Sequence, residues 1–117
     1  MKHDESKPIE IVKTKKETVI LESRRSDSIC KFLNSIPQCR ATKRHQGGYG
    51  RKGDPDITGC IRGHHFELEV KQPGKHLTQI QDIKLARWKD AGAITGRVEN
   101  VNDVLDVFKN HNILLCE

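Results

Sequence analysis

Hydrophobic positions first recur along the chain with a helical spacing, over about residues 17–36. Four residues fall on one face at i, i+4, i+7 and i+11, which is the spacing of an amphipathic helix. The residues of this face are Glu22, Ser26, Ile29 and Leu33, with Phe32 beside them. Pro37 then ends the helix, because proline cannot continue it. A short strand is predicted next, over residues 39–43.

Two alternating segments, residues 56–61 and 65–71, predict the two strands of a β-hairpin. The natural turn is residues 62–63 (Arg-Gly), although arginine is a poor first residue for a tight primed turn. A two-residue loop there pairs positions whose numbers add up to 125, so Ile57 faces Leu68 on an apolar side. A shift of one residue would put these two side chains on opposite faces, so the apolar pattern supports this register.

The rest of the pattern completes one small α/β domain. Thr78 with Gln81 three residues later is a capping-box signature, and it predicts a helix that runs to Asp90. Residues 93–98 predict a further strand, and Asn102 is the expected cap of a last helix. We therefore expect a mixed central sheet flanked by helices, in the order helix, strand, hairpin, helix, strand, helix.

The two ends of the chain show less pattern. Residues 1–16 are polar and rich in lysine, and they predict a basic tail or a short strand, so the domain proper spans residues 17–117. Apolar residues near both ends exceed what one small core needs, and they would cover a sheet edge or join two copies of the chain. These residues are Ile9, Ile11, Val12, Ile113, Leu114 and Leu115.

Composition narrows the class of protein. The 117 residues are 34% hydrophobic, which suffices for one small core. No apolar stretch approaches the roughly 18 residues of a membrane span. With three Phe, one Tyr and one Trp, the chain cannot present a platform of several rings for base stacking. The four cysteines lack the paired spacing of a zinc ribbon or a disulfide scaffold, so we expect a reduced, cytoplasmic protein.

Positive charge is concentrated before the hairpin. The chain carries 21 Lys and Arg against 16 Asp and Glu, and residues 40–52 combine several of these cations with glycines. A flexible basic arm can follow a phosphate backbone, although a solvated loop has the same composition. No motif of sequence-specific readout is present. The expected DNA contacts are Lys43, Arg44, Arg51 and Lys52, with His76 in the loop after the hairpin.

Carboxylates gather on the polar side of the hairpin. The same register places Asp56 opposite Glu69 and Thr58 opposite Glu67, with Lys71 projecting the same way. Directly opposed Cβ atoms lie ~5 Å apart, so Asp56 and Glu69 would repel unless a cation lies between them. Mg²⁺ suits such a pair, because it prefers one or two carboxylates plus water. A solvated strand face that alternates Glu and Lys is the other interpretation, and it stays open.

The six histidines do not indicate a zinc site. His64 and His65 are adjacent on a predicted strand, so they point to opposite faces and cannot easily share a metal. His45 and His76 lie in predicted loops, where contact with a polyanion or with solvent is expected instead.

A family resemblance covers residues 22–108. Three segments occur in the order of the core of a VRR-NUC domain, the virus-type replication-repair branch of the PD-(D/E)XK nuclease superfamily. They are residues 53–59 (GDPDITG), 66–74 (FELEVKQPG) and 77–81 (LTQIQ). The PD and ExK elements alone would be weak signals. Their order, the hairpin between them, the Pro-Gly turn and the glutamine-bearing helix make the resemblance specific.

The resemblance implies a restriction-endonuclease-like fold and a metal-dependent nuclease. It implies that Asp56, Glu69 and the carbonyl of Val70 hold Mg²⁺, for which Mn²⁺ can substitute. Lys71 matches the family's catalytic lysine, and Gln81 matches the glutamine of the following helix. The capping box is an equally good reason for Gln81 to stand at that position.

The family's first helix contributes a further acid near the metal. Glu22 is the best match, because it shares a face with Ile29 and Leu33, while Glu17 and Asp27 remain alternatives. Asp54 adds a carboxylate before the Pro-Asp pair, and we favour a role for it in the turn.

Two classes of function follow from these expectations. The first is an endonuclease that hydrolyses DNA phosphodiester bonds, structure-specific on branched DNA such as four-way (Holliday) junctions, and active as a homodimer. Stand-alone members of the resembled family can act as dimers on branched DNA, including four-way junctions. The second is a non-catalytic, structure-selective nucleic-acid-binding module, in which the carboxylates form only a polar sheet face. A requirement for a divalent cation separates the two classes.

Overall fold

The computed structural model describes residues 15–44 and 51–115 of the chain. Every helix and strand expected within these ranges is present, with ends within about two residues of those expected. The possible strand at Ile9–Val12 lies outside the described residues. The elements are α1 (Lys15–Asn34), β1 (Cys39–Lys43), β2 (Ile57–Ile61), β3 (His64–Val70), α2 (Gln79–Asp90), β4 (Ile94–Val98) and α3 (Val101–Asn110).

The four strands form one mixed sheet in the order β1-β2-β3-β4. The first three strands run antiparallel, whereas β4 is parallel to β3. The predicted hairpin register is confirmed, with Ile57 opposite Leu68 and Thr58 opposite Glu67. Arg62 and Gly63 form the turn with φ angles of 48° and 85°, so arginine does occupy the left-handed position of a primed turn.

One face of the sheet is covered by α1 and α3. Ile29 and Leu33 of α1 are buried, as their predicted face requires, and the rings of Phe66 and Phe108 meet edge to face with centroids 5.4 Å apart. The residues of this core are Ile29, Leu33, Ala41, Ile57, Ile61, Phe66, Leu68, Val70, Ile94, Val98, Val104, Phe108 and Ile113. The mixed sheet between helices confirms the expected fold class.

The other face of β3 is covered as well. Trp88 of α2 stacks on His65, with ring centroids 4.8 Å apart, and Gln81 of the same helix reaches Glu69. Both Glu67 and Glu69 are buried. A solvated strand face is therefore the wrong interpretation here, because β3 is a central strand with helices on both sides.

Gly59 permits the close approach of β1, β2 and Phe66. A Cβ at this position would lie 2.2 Å from the carbonyl oxygen of Arg40 and 2.4 Å from Cζ of Phe66. Any side chain here would therefore displace backbone or a core ring, so glycine is required.

The cap of α3 is Asn100, and the expectation of Asn102 was wrong. Asn100 is extended, with φ −155° and ψ 179°, and its side chain accepts a hydrogen bond from the N–H of Asp103 at 2.9 Å. Asn102 already lies in the first turn of the helix, where it cannot take the extended conformation that a cap needs.

The apolar C-terminal residues divide between the core of their own domain and the surface, where Leu114 is 63% exposed. Ile113 is buried and Leu115 packs against the core, while Arg62 Nη1 donates to the carbonyl of Leu114 at 3.0 Å. These contacts favour the expectation that this segment covers its own domain. No helix in the described ranges is both long enough and apolar enough to cross a membrane.

Candidate active site

Asp56 stands directly before β2 and is held by both neighbouring strands. Its Oδ2 accepts a hydrogen bond from the backbone N–H of Val70 at 2.9 Å. Its own carbonyl accepts from the backbone N–H of Arg44, just after β1, at 2.7 Å. Pro55 before it is buried. The carboxylate is therefore held at the β3 backbone, beside Glu69.

Glu69 is the most perturbed acid of the described chain. Its side chain is almost fully buried, and its Oε1 has no hydrogen-bond donor among the described residues. The pKa of Glu69 is raised to about 9, first by burial, then by a hydrogen bond with Asp56 and by the negative charge of Asp56. The charge of Lys71 opposes this shift without cancelling it. Without a cation, the Asp56–Glu69 pair thus retains a proton at neutral pH.

Val70 and Lys71 continue β3 past this pair. The backbone N–H of Lys71 donates to the carbonyl of Val98 at 3.0 Å, so the parallel strand β4 fixes the chain here. The Lys71 side chain is largely buried and close enough to Glu69 to lower its pKa. An ammonium group therefore lies next to the paired carboxyl groups.

Gln81 completes the predicted capping box and also contacts Glu69. Its backbone N–H donates to Thr78 Oγ1 at 3.2 Å and its Oε1 accepts from the Thr78 N–H at 2.9 Å, which completes the predicted capping box. Its Nε2 also donates to Glu69 Oε2 at 3.4 Å. The cap fixes the amide, and the amide in turn orients the carboxyl group.

An open cleft of about 470 Å³ brings Asp56, Glu69 and Gln81 together, whereas Val70 and Lys71 are not among its lining residues. We call it the Asp56 cleft. It is lined by Glu22, Ser23, Ser26, Lys43, Arg44, Gly53, Asp54, Asp56, Glu69 and Gln81. Glu22 lines this cleft and its charge helps to raise the pKa of Glu69. Asp27 instead turns outward to pair with Lys43 at 2.9 Å, and the side chain of Glu17 lies outside the described residues.

The residues of the cleft fit a hard divalent cation. The buried, donor-free oxygen of Glu69 and the raised pKa of that residue show a carboxyl group whose charge is not compensated by the protein. Within the described ranges, no three His, Cys, Asp or Glu side chains form a complete ligand cluster. Two carboxylates with a backbone carbonyl and water are nevertheless a common Mg²⁺ arrangement.

The expected DNA contacts fall into two groups. Lys43 and Arg44 line the cleft but have partners inside the protein: Lys43 binds Ser23 and Asp27, and Arg44 binds the Pro55 carbonyl and Glu67. The other group consists of exposed residues in the two loops that flank the hairpin, namely Arg51, Lys52 and His76.

Sequence reasoning missed the ion pairs around the cleft. Asp54 binds Lys84 of α2 at 2.9 Å, so its expected role in the turn includes an anchor to that helix. Glu67 is wholly buried and bound by Arg44 and His65, contacts that the sequence pattern did not predict. The predicted Thr58–Glu67 pairing was the available signal, but Lys84 lies 30 residues from Asp54 and Arg44 lies 23 residues from Glu67.

The raised pKa of Glu69 predicts how stability depends on pH without metal. The folded protein keeps a proton on Glu69 up to a pKa of about 9, whereas the ordinary pKa of a glutamate is 4.5. The folded state therefore binds more protons between these pH values, and the free energy of unfolding falls as the pH rises through this window. We expect Glu69→Gln to flatten that decline and to stabilise the metal-free protein by about 1–3 kcal/mol at pH 8.

Urea unfolding in EDTA at pH 5, 7 and 9 measures this effect. Asp106→Asn, an exposed acid of α3, controls for the loss of one negative charge and should keep the wild-type pH profile. If the free energy of unfolding of Glu69→Gln fell with pH as steeply as that of the wild type, the retained proton could not be on Glu69.

Comparison with known proteins agrees with the fold. A solved structure of a VRR_NUC domain superposes with a TM-score of 0.61 at 22% sequence identity, and the match covers 78% of this chain and 96% of that chain. Neither a protein-family model nor a curated protein matches the sequence. The chain thus has a small restriction-endonuclease-like fold. In particular it has the fold of a VRR-NUC domain, as the resemblance of its motifs implied.

Proposed function

We propose that this protein is a metal-dependent endonuclease that hydrolyses phosphodiester bonds in DNA. The observation that carries the proposal is the Asp56–Glu69 pair, whose buried Glu69 oxygen lacks a donor among the described residues and whose charge the protein leaves uncompensated. Asp56, Glu69 and the Val70 carbonyl would hold Mg²⁺, with Glu22 close by. The similarity of the fold to a VRR_NUC domain also supports a nuclease function.

The chain's own residues prepare the reaction. The Val70 N–H and the Gln81 amide orient the two carboxyl groups, so little reorganisation is needed when substrate binds. Lys71 places a fixed positive charge beside them, where it stabilises negative charge on the phosphate during attack by water. Bound Mg²⁺ supplies further Lewis-acid stabilisation of that charge.

The preferred substrate in this proposal is branched DNA, in particular a four-way junction cut by a homodimer. The support is the resemblance to stand-alone VRR-NUC domains and the two-fold symmetry of such a junction, on which two identical subunits can make paired cuts. The exposed cations of the loop before the hairpin provide contacts to the backbone but no readout of bases.

A cleavage panel tests the proposal. Duplex, single strand, flap and four-way junction are each incubated with EDTA, Mg²⁺ or Mn²⁺, and the products are mapped on both strands. We expect cutting only with a divalent cation, with paired nicks on the junction. Binding without cleavage under every condition would favour the non-catalytic module. Stronger cutting of flaps than of junctions would leave the nuclease but remove the junction specificity.

The loop before the hairpin should contribute phosphate contacts. Arg51→Gln/Lys52→Gln is expected to weaken binding and to lower the slope of log K against log salt by up to about 1.8, since each lost contact removes about 0.9 on duplex DNA. Arg44 is left unchanged because it binds Glu67. Binding is measured in EDTA over a KCl series, with Lys89→Gln/Lys109→Gln as the charge-matched control.

The proposed dimer is a separate prediction. Sedimentation equilibrium should give about twice the 13.3 kDa chain mass at micromolar concentration. If the C-terminal segment takes no part in the dimer interface, Leu114→Ser should leave the mass of the dimer unchanged. This result is expected because Ile113 and Leu115 pack on the core of their own domain. A single-chain mass throughout the range would contradict the dimer.

A further inference from the structure

A second buried carboxylate lies on the same face of β3 as Glu69. The side chain of Glu67 is 0% exposed. Its Oε1 accepts from the guanidinium of Arg44, and its Oε2 accepts from the hydroxyl of Thr58 and lies 2.6 Å from His65 Nε2. Burial of an acid is costly unless it is paired and hydrogen-bonded. Glu67 meets that condition entirely with protein groups, so it is not placed to bind metal or phosphate itself.

The partner of Glu67 controls the backbone around Asp56. Besides Glu67, Arg44 Nη1 donates to the carbonyl of Pro55 at 2.8 Å, and the backbone N–H of Arg44 donates to the carbonyl of Asp56 at 2.7 Å. These two carbonyls belong to the peptide groups on either side of the Asp56 Cα. One arginine therefore fixes the segment from which the Asp56 carboxylate projects.

The same network extends to α2. The ring of Trp88 stacks on His65 with an interplanar angle of 27°, and the guanidinium of Arg44 lies 5.8 Å from the centre of the Trp88 ring. Trp88 stands two helical turns after Gln81, which contacts Glu69. Glu67 thus lies at the junction of the Pro55–Asp56 segment, β3 and α2.

We propose that Glu67 is a positioning residue that holds Asp56 in its metal-binding position through the guanidinium of Arg44. This inference rests on the nuclease function proposed above. Without the Glu67 charge, Arg44 loses its buried partner, and the carbonyl of Pro55 loses a fixed donor. Groups that orient metal ligands typically change metal affinity or activity by about 10–100-fold when they are replaced.

Glu67→Gln tests the inference by a measurement without DNA. Isothermal titration with Mn²⁺ alone should show affinity lowered by about 10–100-fold. Single-turnover cleavage at saturating Mn²⁺ should recover most of the wild-type rate, because the ligands themselves remain. Trp88 is the only tryptophan of the chain, so its emission reports directly on the disturbed network. Asp106→Asn is the matched charge control and should bind Mn²⁺ as the wild type does.

A double variant separates positioning from stability. Glu67→Gln leaves the partly buried guanidinium of Arg44 without its carboxylate, whereas Glu67→Gln/Arg44→Gln removes both charges and should recover stability. We expect the double variant to unfold at higher urea concentration than Glu67→Gln and still to bind Mn²⁺ weakly. If Glu67→Gln does not fold, Mn²⁺ binding by the double variant tests the positioning role instead.

The outcomes distinguish the two proposals. Wild-type Mn²⁺ affinity in a folded Glu67→Gln protein, or in the double variant, would overturn the positioning role and leave the nuclease intact. A wild-type protein that binds no Mn²⁺ and cuts no DNA would overturn the proposed nuclease, and the positioning role with it.

Discussion

Asp56→Asn and Glu69→Gln are each expected to abolish DNA cleavage, with a loss of at least about a thousandfold in single-turnover rate. Each change keeps the size of the side chain and removes one charge from the pair proposed to hold Mg²⁺. Asp56 loses its charge while the Val70 N–H can still donate to the amide oxygen. Fold and DNA binding should therefore survive, which separates loss of chemistry from loss of structure.

Three measurements on the same proteins check this expectation. Cleavage is measured in Mg²⁺, DNA binding in EDTA, and the urea midpoint in EDTA. Glu69→Gln should unfold at a higher urea concentration than the wild type at pH 8, because the folded wild type must keep a proton on Glu69 well above the ordinary pKa of a glutamate. Asp27→Asn is the control, because Asp27 is an exposed acid that pairs with Lys43. This variant should still cut DNA in the presence of the metal. Cleavage at the wild-type rate by either ligand variant would remove the assigned site.

Lys71→Ala is expected to lower the rate of cleavage by about 10²–10³-fold while Mn²⁺ binding is retained. The expected size follows from the loss of one group that stabilises developing negative charge. Lys71 is 9% exposed and its charge lowers the pKa of Glu69, so its ammonium group acts close to that carboxyl group. An ammonium group is a donor and cannot be a ligand, which is why binding and rate should separate.

Calorimetry with Mn²⁺ and single-turnover kinetics measure the two effects independently. Lys89→Ala, an exposed lysine in the last turn of α2, is the matched control and should change neither. If Lys71→Ala lost metal binding together with activity, Lys71 would have to act by holding Glu69 in place instead.

Most of the candidate site could be predicted from local pattern. In the hairpin register, paired positions have numbers that add up to 125. This register follows from a two-residue turn and the two-residue period of strands, and it predicted from the sequence that Asp56 lies beside Glu69. The helical period of α1 likewise directed Glu22 toward the cleft, with Ile29 and Leu33 in the core. Gln81 was predicted as a cap and as an inward group, and it is both.

The environment of these residues could not be predicted in the same way. Arg44 was expected to contact DNA from a basic loop, yet its guanidinium is bound by a carboxylate 23 residues away. Asn102 was the expected cap of α3, whereas the extended backbone conformation after β4 makes Asn100 the cap. The pairing of Arg44 with Glu67 depends on a partner from another element, which the local sequence pattern does not indicate.

The sequence by itself therefore determined the elements, the hairpin register and the pairing of Asp56 with Glu69, because these depend on spacing along one or two adjacent segments. Tertiary structure decided which faces are buried. The packing of α2 over β3 turned an apparently polar strand face into an interior one, where Glu69 has a pKa of about 9 and Glu67 is wholly paired. Removing a carboxyl group from water shifts its pKa and makes its hydrogen-bond partners necessary. Whether a residue is removed from water depends on what covers it, and that is decided only when the sheet and helices pack together.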